Sequence, residues 1–190
     1  MGIKFQYLNS IVTALWLGVG ISTPLLAQSV DETERLDLLF ERLLEAEPDE
    51  VGRIQDQIVT EWSKSGSAAM DLLLRRGEDA IEAGTPEVAV EHFTAVVDHA
   101  PDFAEGYSGR ATAYYMLGLY GPAIDDLRQA LVLEPRHFGA MIGVAVVLEE
   151  LGREDDALEV WQKIASFSPN DPEVQAVIER LQIQQAGEAL

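Results

Sequence analysis

Apolar residues follow the period of an α-helix in three segments of this chain. The stripes comprise Leu36, Leu39, Phe40, Leu43 and Leu44, then Val51, Ile54, Ile58 and Trp62, and finally Val174, Val177, Ile178 and Leu181. Spacings of three and four residues place each set on one helix face. The pattern predicts a helix from about residue 32 to 46, a second that follows Pro48 and stops at Ser65, and a third after Pro172. Asn170 precedes Glu173 by three residues, the spacing of a capping box at a helix start.

A longer regularity occupies residues 70–171. Three residue types recur every 34 positions: Gly84, Gly118 and Gly152; Ala89, Ala123 and Ala157; Pro101, Pro135 and Pro169. A bulky residue stands four positions after each alanine, namely Phe93, Leu127 and Trp161. Each glycine suits a left-handed turn that ends a first helix, and each proline stops a second one. A small alanine lets the two helices of a pair approach closely, so the pattern predicts a repeated helix-turn-helix unit.

This 34-residue order of Gly, Ala and Pro resembles the tetratricopeptide repeat, with repeats at 70–103, 104–137 and 138–171. The resemblance implies an all-α fold, a right-handed α-solenoid of helix-turn-helix repeats. Residues 28–67 then form an N-terminal helical hairpin, residues 172–184 a C-terminal capping helix, and residues 185–190 a tail. We expect the hairpin to pack on repeat one as a cap. The alternative is a separately mobile arm that binds a partner.

The first 27 residues have the composition of a targeting segment. Lys4 is the only charged residue before Asp31, and an apolar run covers residues 11–26. Pro24 breaks that run, and a small residue follows at Ala27. These are the parts of a secretory signal peptide cleaved after Ala27, which predicts a periplasmic or secreted protein. Retention as an N-terminal membrane anchor is the alternative.

Charge and the reactive side chains restrict the function. The chain has 33 acidic and 13 basic residues and a net charge of −20, which argues against binding to nucleic acid. It has no cysteine, which excludes disulfides and thiolate catalysis. His92, His99 and His137 lack the spacing of a metal site, and no nucleophile or phosphate-binding motif is present. We therefore expect no enzymatic activity, no metal, no cofactor and no small-molecule substrate.

The resemblance also implies a binding groove. In the family, the first helices of successive repeats line a concave face that receives a protein or peptide segment. The corresponding lining here is Asp71, Leu74, Glu78, Ser108, Gly109, Thr112, Tyr115, Gly139, Ile142, Gly143, Val146 and Glu149. Co-chaperones of this family clamp a terminal carboxylate with Lys, Asn and Arg. The five clamp positions hold Leu74, Glu78, Gly109, Gly139 and Gly143, so that function is not expected.

The groove residues predict a partner that is apolar or basic, because Asp71, Glu78 and Glu149 supply negative charge. The glycines have two explanations, close packing of neighbouring helices or room for a ligand side chain. On the second explanation, a Gly143→Leu variant should weaken binding and leave the fold intact. The predicted function is a non-catalytic protein-protein interaction scaffold of the cell envelope. The alternative is a structural or assembly subunit that associates through its end helices.

Overall fold

A computed structural model describes residues 24–188, and that range contains nine α-helices and no strand. The helices are α1 Pro24–Glu45, α2 Val51–Trp62, α3 Ala68–Glu82, α4 Pro86–His99, α5 Ala104–Met116, α6 Tyr120–Leu133, α7 Phe138–Glu150, α8 Glu154–Ala165 and α9 Pro172–Glu188. The predicted all-α architecture is confirmed. Residues 1–23 of the predicted signal peptide lie outside the described residues, and Pro24 to Ala27 begin α1. Within residues 24–188, no helix has the length and apolar character needed to cross a membrane.

Glycine closes the turn inside each predicted repeat. Gly84, Gly118 and Gly152 have φ angles of 68°, 71° and 68°. The left-handed conformation strains residues that carry a β-carbon, so glycine is favoured there. The chain reverses at these points, so α3 pairs with α4, α5 with α6, and α7 with α8.

Small and large side chains alternate in the core of the repeats. Ala89, Ala123 and Ala157 have no exposed surface, which allows the two helices of each pair to pack closely. The bulky residues one turn later, Phe93, Leu127 and Trp161, are also buried. Trp161 belongs to the core of the third repeat. Its neighbours include Ala145 and Leu148 of α7 and Leu181 of α9, so α9 covers the end of the third repeat.

The N-terminal hairpin packs in a different place from the one expected. Except for Leu44, which is exposed, its two apolar stripes face each other, and the cluster they form is completed by Phe138 at the start of α7 and Phe167 after α8. The prediction that the hairpin packs on repeat one is therefore wrong. The first turn of α3 offers exposed Ala68, Ala69 and Leu72, whereas the third repeat offers two aromatic rings, Phe138 and Phe167. The large apolar face of α1 and α2 is covered better by those rings.

Polar contacts hold the docked hairpin on the last residues of the second repeat and on the third repeat. Arg136 Nη1 lies 2.7 Å from Asp37 Oδ1, and its guanidinium lies 4.4 Å from the centre of the Phe40 ring. Gln55 Nε2 donates to Asp171 Oδ2 at 2.8 Å, and Asn170 Nδ2 donates to the carbonyl of Ala46 at 2.9 Å. These contacts join residues that are 99 to 124 positions apart in the chain.

Candidate functional site

A cleft of about 220 Å³ lies between α5 and α7, with Leu127 of α6 at its base. It brings together six of the predicted groove residues: Thr112, Tyr115, Gly139, Ile142, Gly143 and Val146. Ala111 and Val147 complete the lining. The contributing positions on each helix are three or four residues apart, so they share one helix face. Carbon atoms make up most of the surface of the cleft, which can accept an apolar side chain.

The glycines at this site serve mainly helix packing. A β-carbon on Gly109 would stand 2.4 Å from Phe93 Cε1, and one on Gly77 would stand 2.5 Å from the same atom. The Phe93 ring thus fits between two glycines. A β-carbon on Gly143 would stand 2.8 Å from Leu127 Cδ2, so the fold of a Gly143→Leu variant stays intact only if the Leu127 side chain shifts. Gly139 differs, because its nearest neighbour, His137 Cε1, is at an ordinary contact distance of 3.4 Å.

Two predicted groove residues of α3 have structural roles instead. Leu74 is only 2% exposed and belongs to the core around Phe93, so it cannot line a groove. Asp71 Oδ1 accepts hydrogen bonds from the backbone N–H of Ser65, at 2.9 Å, and from the Ser65 hydroxyl. Asp71 thereby fixes the connection between α2 and α3. The predicted groove lining is therefore corrected at both positions, because the Leu74 side chain packs in the core and the Asp71 carboxylate is bonded to Ser65.

Glu149 is also engaged within the chain. Its Oε1 accepts a hydrogen bond from Trp161 Nε1 at 3.1 Å, and its Oε2 lies 2.7 Å from Arg180 Nη2. The charge predicted for the groove at this position is therefore neutralised by α9. Ser108 is half-buried, and its carbonyl accepts a hydrogen bond from Thr112 Oγ1 at 3.1 Å. Thr112 itself is exposed at the edge of the cleft.

Carboxylates lie near the cleft and along α3. The Tyr115 hydroxyl donates to Glu150 Oε1 at 3.3 Å, and partial burial together with that carboxylate raises the pKa of Tyr115. Glu78 is exposed, but removal of water around it raises its pKa, and the negative charges of Glu105 and Asp79 add to the effect. None of the nine lining residues of the cleft is Lys or Arg. The site therefore combines an apolar cleft with acidic surroundings.

Sequence reasoning missed the contact between Trp62 of the hairpin and His137, whose ring lies beside the cleft residue Gly139. His137 is only 3% exposed, and its Nδ1 accepts a hydrogen bond from the backbone N–H of Ala140 at 3.0 Å, which caps α7. The Trp62 ring lies on the imidazole ring, with centroids 4.6 Å apart and planes at 13°. The position of His137 directly before an apolar helix was a usable signal for the cap. No sequence signal pointed to the stack with Trp62.

Similarity to known proteins agrees with this architecture. A profile described as the tetratricopeptide repeat matches residues 74–127 and 117–172. A TPR repeat-containing protein of Rhizobium etli is 34% identical over 155 residues, which span 81% of this chain and 76% of that protein. The SGT1 homolog of Bos taurus is 29% identical over 120 residues, but the chain spans only 36% of its length.

Solved structures share the fold. The first TPR of Spaghetti (RPAP3) bound to the HSP90 peptide SRMEEVD has a TM-score of 0.58 and 20% identity, over 62% of this chain and 95% of that one. The Yersinia enterocolitica type III secretion chaperone SycD, in complex with a peptide of the translocator YopD, has a TM-score of 0.57 and 17% identity, over 63% of this chain and 96% of that one.

Proposed function

The chain belongs to the tetratricopeptide repeat family, and on that basis we propose that it is a non-catalytic scaffold that binds a peptide segment of a partner protein in the cleft between α5 and α7. The observation that carries this proposal is the cleft itself, about 220 Å³ of mainly apolar surface formed by residues of adjacent repeats. Small apolar clefts with few polar groups are where proteins hold side chains of their ligands. The peptide complexes of RPAP3 and SycD support a peptide as the ligand class.

The chemistry of the site favours a peptide with an apolar anchor and basic flanking residues. Tyr115, Ile142 and Val146 offer apolar contact inside the cleft, and Glu150 stands at the Tyr115 hydroxyl. An acidic peptide such as SRMEEVD would meet carboxylates here, including Glu78 on the neighbouring helix α3. The net charge of −20 favours association with a positively charged partner.

The proposed location is the cell envelope. The support for it is the sequence of residues 1–27, with Lys4, the apolar run and Ala27. Sequencing the N-terminus of the protein isolated from its host should give Gln28. Recovery of an intact Met1 in the cytoplasmic fraction would contradict the proposed export.

Selection from a random peptide library tests the binding function. Peptides selected on the purified protein should carry an apolar residue beside Lys or Arg, and a synthetic copy should be measured by calorimetry. A Thr112→Trp variant should abolish binding, because the indole ring would cover the cleft. Thr60→Trp is the matched control: Thr60 is exposed on α2, and its hydroxyl bonds to the carbonyl of Asp56, as that of Thr112 bonds to Ser108.

Equal affinity of both tryptophan variants would place the binding surface elsewhere. The alternative function, an assembly subunit that associates through its end helices, has a different result in the same preparation. Exposed apolar residues that could form such contacts are Leu38 and Leu44 on α1 and Ile183 on α9. Self-association that depends on concentration, with no peptide selected, would favour that function.

A further inference from the structure

His137 joins the N-terminal hairpin to the cleft. Trp62, the last residue of α2, covers one face of the imidazole. Nδ1 accepts a hydrogen bond from the N–H of Ala140 in the first turn of α7, and Cε1 lies beside Gly139, which lines the cleft. One buried ring therefore contacts the hairpin, caps α7 and lies beside Gly139, a residue that lines the cleft.

The same ring reaches the opposite wall of the cleft. Because Nδ1 accepts a hydrogen bond, a neutral imidazole carries its proton on Nε2. That atom lies 3.4 Å from Glu105 Oε1, in the first turn of α5. It is buried without a well-aligned hydrogen bond to any of residues 24–188. A buried donor left unsatisfied is unfavourable, so packing must hold the ring in this orientation.

Trp62 supplies that packing. It is 8% exposed, and its ring lies 5.9 Å from the Phe40 ring and 5.0 Å from the Phe138 ring. Its indole Nε1 is buried and has no hydrogen-bond partner among the described residues, so it is held by contact between rings. The Trp62 ring can occupy this place only while the hairpin is docked on the third repeat.

We infer that His137 is a positioning residue: held in place by Trp62, it sets the separation of α5 and α7 and thereby determines which side chains the cleft accepts. The docked hairpin is then part of the binding site and not a passive cover. This inference rests on the proposed function of the cleft. It predicts that hairpin docking and ligand binding influence each other reciprocally, as linked equilibria must.

Three variants, at two positions, separate the helix cap from the ring stack. Trp62→Ala removes the ring above His137, and Trp62→Leu retains apolar volume in case the alanine variant does not fold. His137→Asn keeps a side-chain acceptor for the N–H of Ala140 but removes the imidazole. Methyl and amide NMR of the purified protein without ligand provides the readout. We expect all of these variants to shift the Ile142 and Val146 methyl signals, while Ile81 in repeat one stays unchanged.

A control variant acts on the same interface without touching the ring. Arg136→Gln removes the contacts with Asp37 and Phe40. The Trp62 indole signal shows whether the stack persists in this variant. We expect the Trp62 indole signal and the Ile142 and Val146 methyl signals to respond alike, either all unchanged or all shifted. Cleft signals that move while the indole does not, or that remain in place in the Trp62 variants, would overturn the inference.

The selected peptide distinguishes positioning from general stability. We expect His137→Asn to change the ratio of affinities for peptides with Leu and with Phe at the anchor by at least about threefold. A uniform loss for both peptides would indicate a merely structural residue and would overturn the inference. If the wild-type protein binds no peptide in the cleft, the proposed function fails, and the ligand-free NMR measurement still decides whether His137 connects the hairpin to the cleft.

Discussion

Arg110 and Asp126 form a two-point ion pair inside the second repeat, with Nε–Oδ2 and Nη2–Oδ1 distances of 2.7 Å and 2.8 Å. The guanidinium also lies 5.8 Å and 5.9 Å from the ring centres of Tyr107 and Tyr114. The residues 34 positions later, Val144 and Val160, cannot form this pair. They line a shallow cleft of about 430 Å³ beside α8. At equivalent positions, the second repeat therefore has an ion pair and the third repeat has two valines.

Replacing the pair with the residues of the third repeat tests what it contributes. Asp126→Val should lower the free energy of unfolding by about 3–5 kcal/mol, because it leaves the largely buried Arg110 charge without its carboxylate. The double variant Arg110→Val with Asp126→Val should lose much less, because no unpaired charge remains. Urea denaturation of the wild type, both single variants and the double variant provides the comparison. A double variant as unstable as the sum of the singles would contradict this explanation.

The glycines of α5 and α7 should respond in opposite directions to alanine. Gly109→Ala should cost about 1–3 kcal/mol, because the new methyl group would overlap the Phe93 ring. Gly139→Ala places its methyl group at an ordinary contact distance, 3.4 Å from His137 Cε1, and should gain up to about 1 kcal/mol from the higher helix propensity of alanine. Thermal and urea denaturation measure both effects. Equal stability of the two variants would show that the Phe93 ring does not need the space beside Gly109.

Trp161 should be important for the stability of the third repeat. Trp161→Ala should cost about 3–5 kcal/mol, because it leaves a cavity and removes a donor from Glu149. Trp161→Phe is the matched control, since it keeps most of the ring volume and loses only the N–H. Urea denaturation should rank the alanine variant well below the phenylalanine variant. An unchanged midpoint for the alanine variant would contradict the assigned core.

Glu78 should make stability depend on pH. Its pKa in the folded protein is raised, chiefly by burial and by the charge of Glu105. The folded state then takes up a proton at a higher pH than the unfolded state, so this contribution to stability grows as pH falls through the folded pKa. The contribution reaches its full value once the pH is below the pKa of Glu78 in the unfolded chain.

Glu78→Gln removes the carboxylate charge that is unfavourable in the folded state, and it should therefore raise the melting temperature at neutral pH. The gain should diminish as the pH is lowered into the range where Glu78 becomes protonated. Glu91→Gln, an exposed position on α4, serves as the charge-matched control. A gain that is equal for both variants, or independent of pH, would show that only net charge matters.

The periodic sequence predicted how the two helices within each repeat turn and pack against each other. Gly84 and Ala89, for example, have the turn and the close packing that their 34-residue spacing indicated. A periodic signal describes contacts between adjacent units. It contains no information on the contact between Asp37 and Arg136, which are 99 residues apart. That is why the existence of the hairpin could be predicted and its docking surface could not.

Cap residues show a finer limit of sequence reasoning. The predicted capping box assigned the start of α9 to Asn170, but Asp171 Oδ1 accepts from the N–H groups of Glu173 and Val174 at 2.9 Å and 3.2 Å. Asn170 Nδ2 instead donates a hydrogen bond to the carbonyl of Ala46 in the hairpin. Both side chains can cap a helix, and the choice depends on which of them a distant element occupies. In the candidate site, the contacts of Asp71 and Glu149 within the chain were not predicted for the same reason, since their partners Ser65 and Arg180 lie outside the repeat pattern.

The position of the hairpin fixes the number of repeats. Its exit is held at the start of α3 by Asp71, and its body is docked on Arg136 and Phe138 at the start of the third repeat. Neighbouring helices pack about 8–10 Å apart, so inserting one more repeat would carry the docking surface roughly that far out of reach. Open solenoids grow or shrink by whole units during evolution with little penalty. In this protein, gain or loss of a unit between the first and third repeats would separate the hairpin from the surface that buries it, so selection would act against such changes in length.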